Sequence, residues 1–179
     1  GEEHTQDYSK NRDYKSLKNG KMSRHIQFES GLSLTGANAD VRIAIKPSEE
    51  GAVLIALYNA ITGQAVAGGT SNAKAKTAIA LVAKELQSAK GAAVVVAGAN
   101  DVYIQSLVNA INTQIGAYGA IIDLDNYSKQ HQGSEAAFQQ FLTAANAGQV
   151  GVAFVLNNNP AYNYFKADAI KEALKKVDF

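Results

Sequence analysis

The residues able to do chemistry in this chain sit at three places where an apolar run gives way to polar ones. These are Gly98-Ala99-Asn100-Asp101, Asp123-Leu124-Asp125 and Asn157-Asn158-Asn159-Pro160. The first has the position of a phosphate-binding turn between a strand and a helix. A dinucleotide fingerprint needs glycine three times: for the turn, for close approach of pyrophosphate, and for helix–strand contact. Only Gly98 fits, because Asn100 and Tyr103 stand at the other two places. Asp101 adds a carboxylate at the helix start, where it competes with phosphate for the same N–H groups. Asn and Asp are favoured helix caps, so Asn100 or Asp101 is expected to cap the helix. Asp123 stands where a nucleotide fold places its ribose-binding acid. Without the glycines it reads as a turn residue. Tyr127 and Ser128 interrupt any calcium-loop pattern after Asp123 and Asp125.

Other chemistries find little support. The chain has no cysteine, which excludes disulfides, a thiolate zinc site, a cysteine-ligated cluster and a cysteine nucleophile. His4, His25 and His131 lie far apart, and no serine stands in a Gly-x-Ser-x-Gly elbow. No Gly-Lys-Ser or Gly-Lys-Thr follows the glycines of residues 62–72, which rejects a P-loop. No catalytic residue and no metal ligand set is assigned. The formal charge of +1 gives no electrostatic case for nucleic acid or an anionic surface. The longest apolar runs are strand-sized, so no membrane insertion is expected.

The elements that would hold these residues read as α/β. Ala92–Ala97 is an unbroken apolar run with three valines, the pattern of a strand buried on both faces. Ile104, Leu107, Val108, Ile111 and Ile115 then recur at helical spacing, and Gly116 is a stop. Ala120–Leu124 reads as a second buried strand, parallel to the first through a right-handed crossover. A helix over 135–147, capped by Ser134, a strand over 152–156 and a helix over 167–176 extend the alternation. Upstream, 25–29 and 41–45 read as short strands. A helix opens at Pro47 with Ser48 as its cap, and another spans 73–89. The expected fold is a doubly wound, mostly parallel sheet, Rossmann-like, in three α/β/α layers. At 179 residues with 46% hydrophobic and 18% charged residues, one core is expected. Residues 1–23 read as a polar arm or linker that Tyr8, Tyr14 and Leu17 pin in part, with the α/β domain over 24–179. The abrupt polar start and the strand-like Val177-Asp178-Phe179 read as a piece of a longer protein.

The strand and loop VGVAFVLNNNPAYN, with the helix leading to VDF, resembles a recurring segment of molybdopterin oxidoreductases. There a strand enters a Gly-x-Asn-Pro loop before a helix and the next strand. Phe28-Glu29-Ser30, Thr35-Gly36 and Ala39-Asp40 resemble the start of the molybdopterin-oxidoreductase-like region in the B subunit of bacterial alternative complex III. The helix with Asn109-Ala110-Ile111-Asn112 and its Ile115-Gly116 stop is similar to the same subunit. The likeness covers roughly residues 24–179.

The resemblance implies a cofactor-free scaffold domain in a membrane-bound quinol oxidoreductase of the respiratory chain. Iron–sulfur clusters would lie in a separate region, and molybdopterin would be absent. Its partners would be other subunits of the complex, at the periplasmic face of a bacterial inner membrane. Asn157 stands where the family's loop has glycine, so the turn is expected to survive while close approach of a nucleotide is obstructed. Gly98, Asn100, Asp101, Asp123, Asn157, Asn158, Asn159 and Pro160 are then remnants of a site. The alternatives are a cofactor-binding piece of a true molybdopterin oxidoreductase, and an independent nucleotide or small-molecule binding module.

Overall fold

The structure is a computed structural model, and it describes residues 2–15, 17, 22–127 and 133–179. The rest of the arm, and Ser128 and His131 of the loop, lie outside the described residues. The chain is mixed α/β and divides into two compact units, Gly1–Asn126 and Tyr127–Phe179.

The first unit holds α1 (Glu2–Lys10), β1 (Ile26–Glu29), α2 (Leu34–Ala37), β2 (Val41–Ala44), α3 (Glu50–Thr62), α4 (Ala73–Ser88) and α5 (Val102–Gln114). β1 and β2 pair in parallel with Ile26 opposite Val41 and Glu29 opposite Ala44. Helix α3 packs on both α4 and α5. Val53, Leu57 and Ile61 of α3, Ile79 and Val82 of α4, and Val108 and Ile111 of α5 form the core with Ile43 of β2. Each helix presents an apolar face at helical spacing, and burial of those faces drives the packing. Glycines end α3 and close the turn after α5: Gly63 and Gly116 adopt left-handed φ of 73° and 69°.

Four expectations change. Ser48 is not a helix cap. It lies inside a 3₁₀ turn over Pro47–Glu49, where the Lys46 N–H donates to the Glu49 carboxylate at 2.8 Å. That contact, with φ fixed by Pro47, starts the helix one turn later.

Residues 92–97 join no strand ladder: the Ala92 N–H closes a turn onto the Ala89 carbonyl at 2.9 Å, and 93–97 alternate in burial and are covered on one face only. Ala93, Val95 and Ala97 pack on the core, while Val94 and Val96 are 42% and 81% exposed. On one edge, the backbone of Val95 is bonded to the side chain of Asn112 in the place a neighbouring strand would take.

Residues 120–124 form a turn, not a buried strand. The N–H groups of Ile121 and Ile122 both donate to the carbonyl of Ala117, at 2.8 and 2.9 Å, which curls the backbone. Gly116 and Gly119, both at positive φ, permit that curl.

The second unit holds α6 (Glu135–Asn146), α7 (Pro160–Asn163) and α8 (Ala167–Leu174). Leu142, Ala145, Ile170 and Ala173 form its small core. Ser134 caps α6 by accepting the Ala137 N–H at 3.2 Å. Residues 152–156 are not a buried strand: Phe154 and Leu156 are 90% and 85% exposed. They carry one pair of bonds in a parallel pattern, Ala153 N–H to the Phe179 carbonyl at 2.9 Å and Phe179 N–H to the Gly151 carbonyl at 3.1 Å. The sheet observed among the described residues therefore has two strands, and a doubly wound sheet is not shown.

Candidate functional site

The N-terminus of α5 follows directly on Gly98-Ala99-Asn100. Asp101 has extended backbone, and its carboxylate accepts the N–H of Tyr103 at 2.9 Å and of Ile104 at 3.0 Å. These are the free donors at the start of the helix, and the cap satisfies them with a full negative charge. Gln105 closes the turn from the other side, donating to the carbonyls of Ala97 at 3.0 Å and Ala99 at 2.7 Å. Tyr103, at the third fingerprint position, is 79% exposed. A phosphate at this helix end would have to displace a carboxylate held by two bonds.

Asp123 accepts the N–H of Asp125 at 2.8 Å and of Asn126 at 3.1 Å, and the Asn126 side chain at 2.8 Å. The bond from the Asn126 side chain, with the two backbone bonds, holds its carboxyl below the usual range. This is an Asx-type turn.

In the second unit, Asn157 adopts φ 50°, the left-handed conformation that the glycine of a Gly-x-Asn-Pro loop would supply. Asn158 accepts from the Asn163 side chain at 2.5 Å, and the Asn159 carbonyl accepts the N–H of Tyr162 and Asn163. Pro160 takes the first position of α7, where a missing N–H costs nothing. The eight residues singled out from the sequence thus serve caps and turns in their own units, with Gly98 and Asn100 in the turn that leads to Asp101.

Three groups escaped the sequence reading. Asn112, 2% exposed, is clamped to Val95. A polar residue four positions after Val108, on the apolar side of α5, was its signal. Glu29 accepts from the Ser33 hydroxyl at 2.6 Å and from Arg42 at 2.5 Å, and these bonds hold its carboxyl below the usual range. Arg12 donates through both terminal nitrogens to Asp40, at 2.8 and 3.0 Å, and also to the carbonyl of Ser23. The Arg12 guanidinium, with the His25 N–H, holds the Asp40 carboxyl well below the usual range. Tyr8 shares a hydrogen bond with His25 at 2.8 Å, while Tyr14 is 90% exposed.

A crevice of about 950 Å³ opens between β1 and residues 92–99. Leu54, Leu57, Val82 and Leu86 of α3 and α4 line it. No cluster of three or more His, Asp or Glu residues suited to a metal occurs among the described residues. Among the same residues, no helix is long and apolar enough to cross a membrane. The chain matches no family model, and no curated protein matches it.

Proposed function

We propose that this chain is a cofactor-free scaffold domain of an alternative complex III subunit, built on a Rossmann-like doubly wound sheet. The observation that carries the reading is the carboxylate of Asp101 on the helix donors that a pyrophosphate would need. The turn at Asn157 supports it: the left-handed backbone is retained, with a side chain added where a nucleotide would approach. The parallel bonds between Gly151–Ala153 and Phe179, with α8 between the two segments, support the doubly wound part of the reading. Exposed Phe154, Leu156, Phe165 and Phe179 supply apolar surface for partner subunits. Electron transfer would belong to iron–sulfur clusters elsewhere in the complex, at the periplasmic face of the membrane, and this domain would hold neighbours in place.

The test is native mass spectrometry of the purified chain, joined to thermal shift with NAD and GDP. The scaffold reading expects a bare polypeptide mass and no shift. A saturating nucleotide at a hundred times its Kd adds about 2.7 kcal/mol, well within detection. Stoichiometric pterin nucleotide would favour a cofactor-binding piece of a true molybdopterin oxidoreductase. A shift with NAD or GDP alone would favour an independent nucleotide-binding module.

A further inference from the structure

We propose that residues 92–97 close onto the free edge of β1 as a third parallel strand, so that the crevice between them is the open form of a sheet ordered β2, β1, 92–97. This deepens the doubly wound reading by fixing a strand order, and it needs no cofactor or partner.

Two rows of backbone groups carry the inference. In a parallel ladder, alternate residues of a strand bond to a given side. The carbonyls of His25 and Glu29 accept from the β2 side, from Val41 at 3.3 Å and Ile45 at 3.1 Å. Ile26 and Phe28 therefore turn their N–H and carbonyl groups to the other edge, which lines the crevice. Across it, Val95 is bonded on both groups to Asn112, so Val94 and Val96 turn theirs the opposite way. One edge of the 92–97 segment is thus held by a buried amide, and the other is open.

The faces agree as well as the edges. Ile26 and Phe28 rest on the helical core, and so do Ala93, Val95 and Ala97. Pairing Phe28 with Val95, or Ile26 with Val95, keeps every core side chain on the helix face. A slip of one residue would turn Val94 and Val96 inward. Closure removes exposed backbone and apolar wall from water and leaves the Asn112 clamp unchanged.

The protein has no cysteine, so paired cysteines report closure without background. Gln27 and Val94, or Gln27 and Val96, come side by side on the outer face in the two registers. Neighbouring strands lie about 4.8 Å apart, inside the roughly 4.4–6.8 Å Cα range of a disulfide. One of the double variants Gln27→Cys/Val94→Cys and Gln27→Cys/Val96→Cys should oxidise to an intramolecular disulfide. Gln27→Cys/Val95→Cys, with side chains on opposite faces, should stay reduced. On the unmodified protein, the amides of Phe28 and Val96 should exchange as slowly as that of Ile43 in the existing ladder. Failure of both cross-links with fast exchange at Phe28 and Val96 would overturn closure. Cross-strand NOEs between 92–97 and 120–124, read in the same spectra, report the wider doubly wound sheet separately.

Discussion

The side-chain amide of Asn112 donates to the carbonyl of Val95 at 2.8 Å and accepts the Val95 N–H at 2.9 Å. One helical side chain thereby does for residues 92–97 what an adjacent strand would do at that position. Asn59 repeats the arrangement, meeting the Val66 carbonyl at 2.9 Å and its N–H at 3.0 Å to hold the loop after α3. The first clamp is the deeper one, since Asn112 is almost wholly buried.

Replacing Asn112 by leucine keeps the branched skeleton of the side chain but leaves two backbone groups of Val95 without partners. An unsatisfied buried group costs about 1–3 kcal/mol, so with two of them Asn112→Leu should lower stability by roughly 2–6 kcal/mol in urea unfolding. Asn112→Asp should also destabilise, because it removes the donor and places a carboxylate beside a carbonyl. A leucine variant as stable as the parent would show that the clamp is incidental.

Gly36 lies against Glu29. A Cβ at Gly36 would fall within the Glu29 carboxylate, 2.5 Å from Cδ and 2.7 Å from Oε2. Glu29 cannot move aside without leaving Ser33 and Arg42. Gly36→Ala should therefore destabilise the protein and raise the Glu29 pKa toward its ordinary value, read by NMR titration. In a Glu29→Ala background the same substitution should cost much less. Equal cost in both backgrounds would place the penalty elsewhere.

How far the sequence reached is visible at particular residues. A cap at Asn100 or Asp101, a cap at Ser134 and a stop at Gly116 were legible, because these depend on local backbone geometry. All the longer helices of residues 47–179 follow from apolar spacing for the same reason. The short strands read at 25–29 and 41–45 were legible too, as β1 and β2, but the three apolar runs downstream were not strands. An apolar run at 92–97 does not say whether one face or two are covered, or whether a strand or an amide meets its backbone. Arg12 and Asp40 stand 28 residues apart, beyond the reach of any spacing rule. At the candidate site, Asp101 and the Asn157 turn were readable from residue type, whereas Glu29 acquires its role only through folding.

Acid should act through Asp40. Its folded carboxyl is held well below the unfolded value of about 3.9 by Arg12 first and the His25 N–H second. A lowered folded pKa gives stability that is present above the unfolded value and lost as pH falls from there toward the folded one. Thermal unfolding should thus be flat from pH 7 to about 5 in this contribution and decline below about pH 4. Asp40→Asn should be less stable than the parent at pH 7, and the difference should narrow near pH 2.5. A constant difference across that range would exclude the Arg12–Asp40 pair as a source of acid sensitivity.

Asn157 tests the vestigial loop. Its left-handed φ of 50° is strained for most residues with a Cβ, by roughly 1–2 kcal/mol per residue. Asn157→Ala should lose about 1 kcal/mol, whereas Asn157→Gly should be neutral or mildly stabilising. If alanine and glycine behave alike in urea unfolding, the turn does not depend on that conformation.

The cap at Asp101 joins stability to function most directly. Its carboxylate satisfies the N–H groups of Tyr103 and Ile104 and meets the positive end of α5. Asp101→Ala removes both effects and should cost about 0.5–2 kcal/mol. Asp101→Asn keeps an acceptor but loses the charge, and should cost only a few tenths to about 1 kcal/mol, most at low ionic strength. The charge part should shrink as salt rises, while the hydrogen-bond part should not. Uncapping also frees the helix end for an outside anion. Asn100 still stands at the second fingerprint position and Tyr103 at the third, so Asp101→Gly should bind no dinucleotide. Thermal shift of that variant with NAD should therefore match the buffer control. A clear NAD-dependent rise in Tm would mean that Asp101 alone had been holding a working phosphate site closed, and the scaffold reading would fall with it.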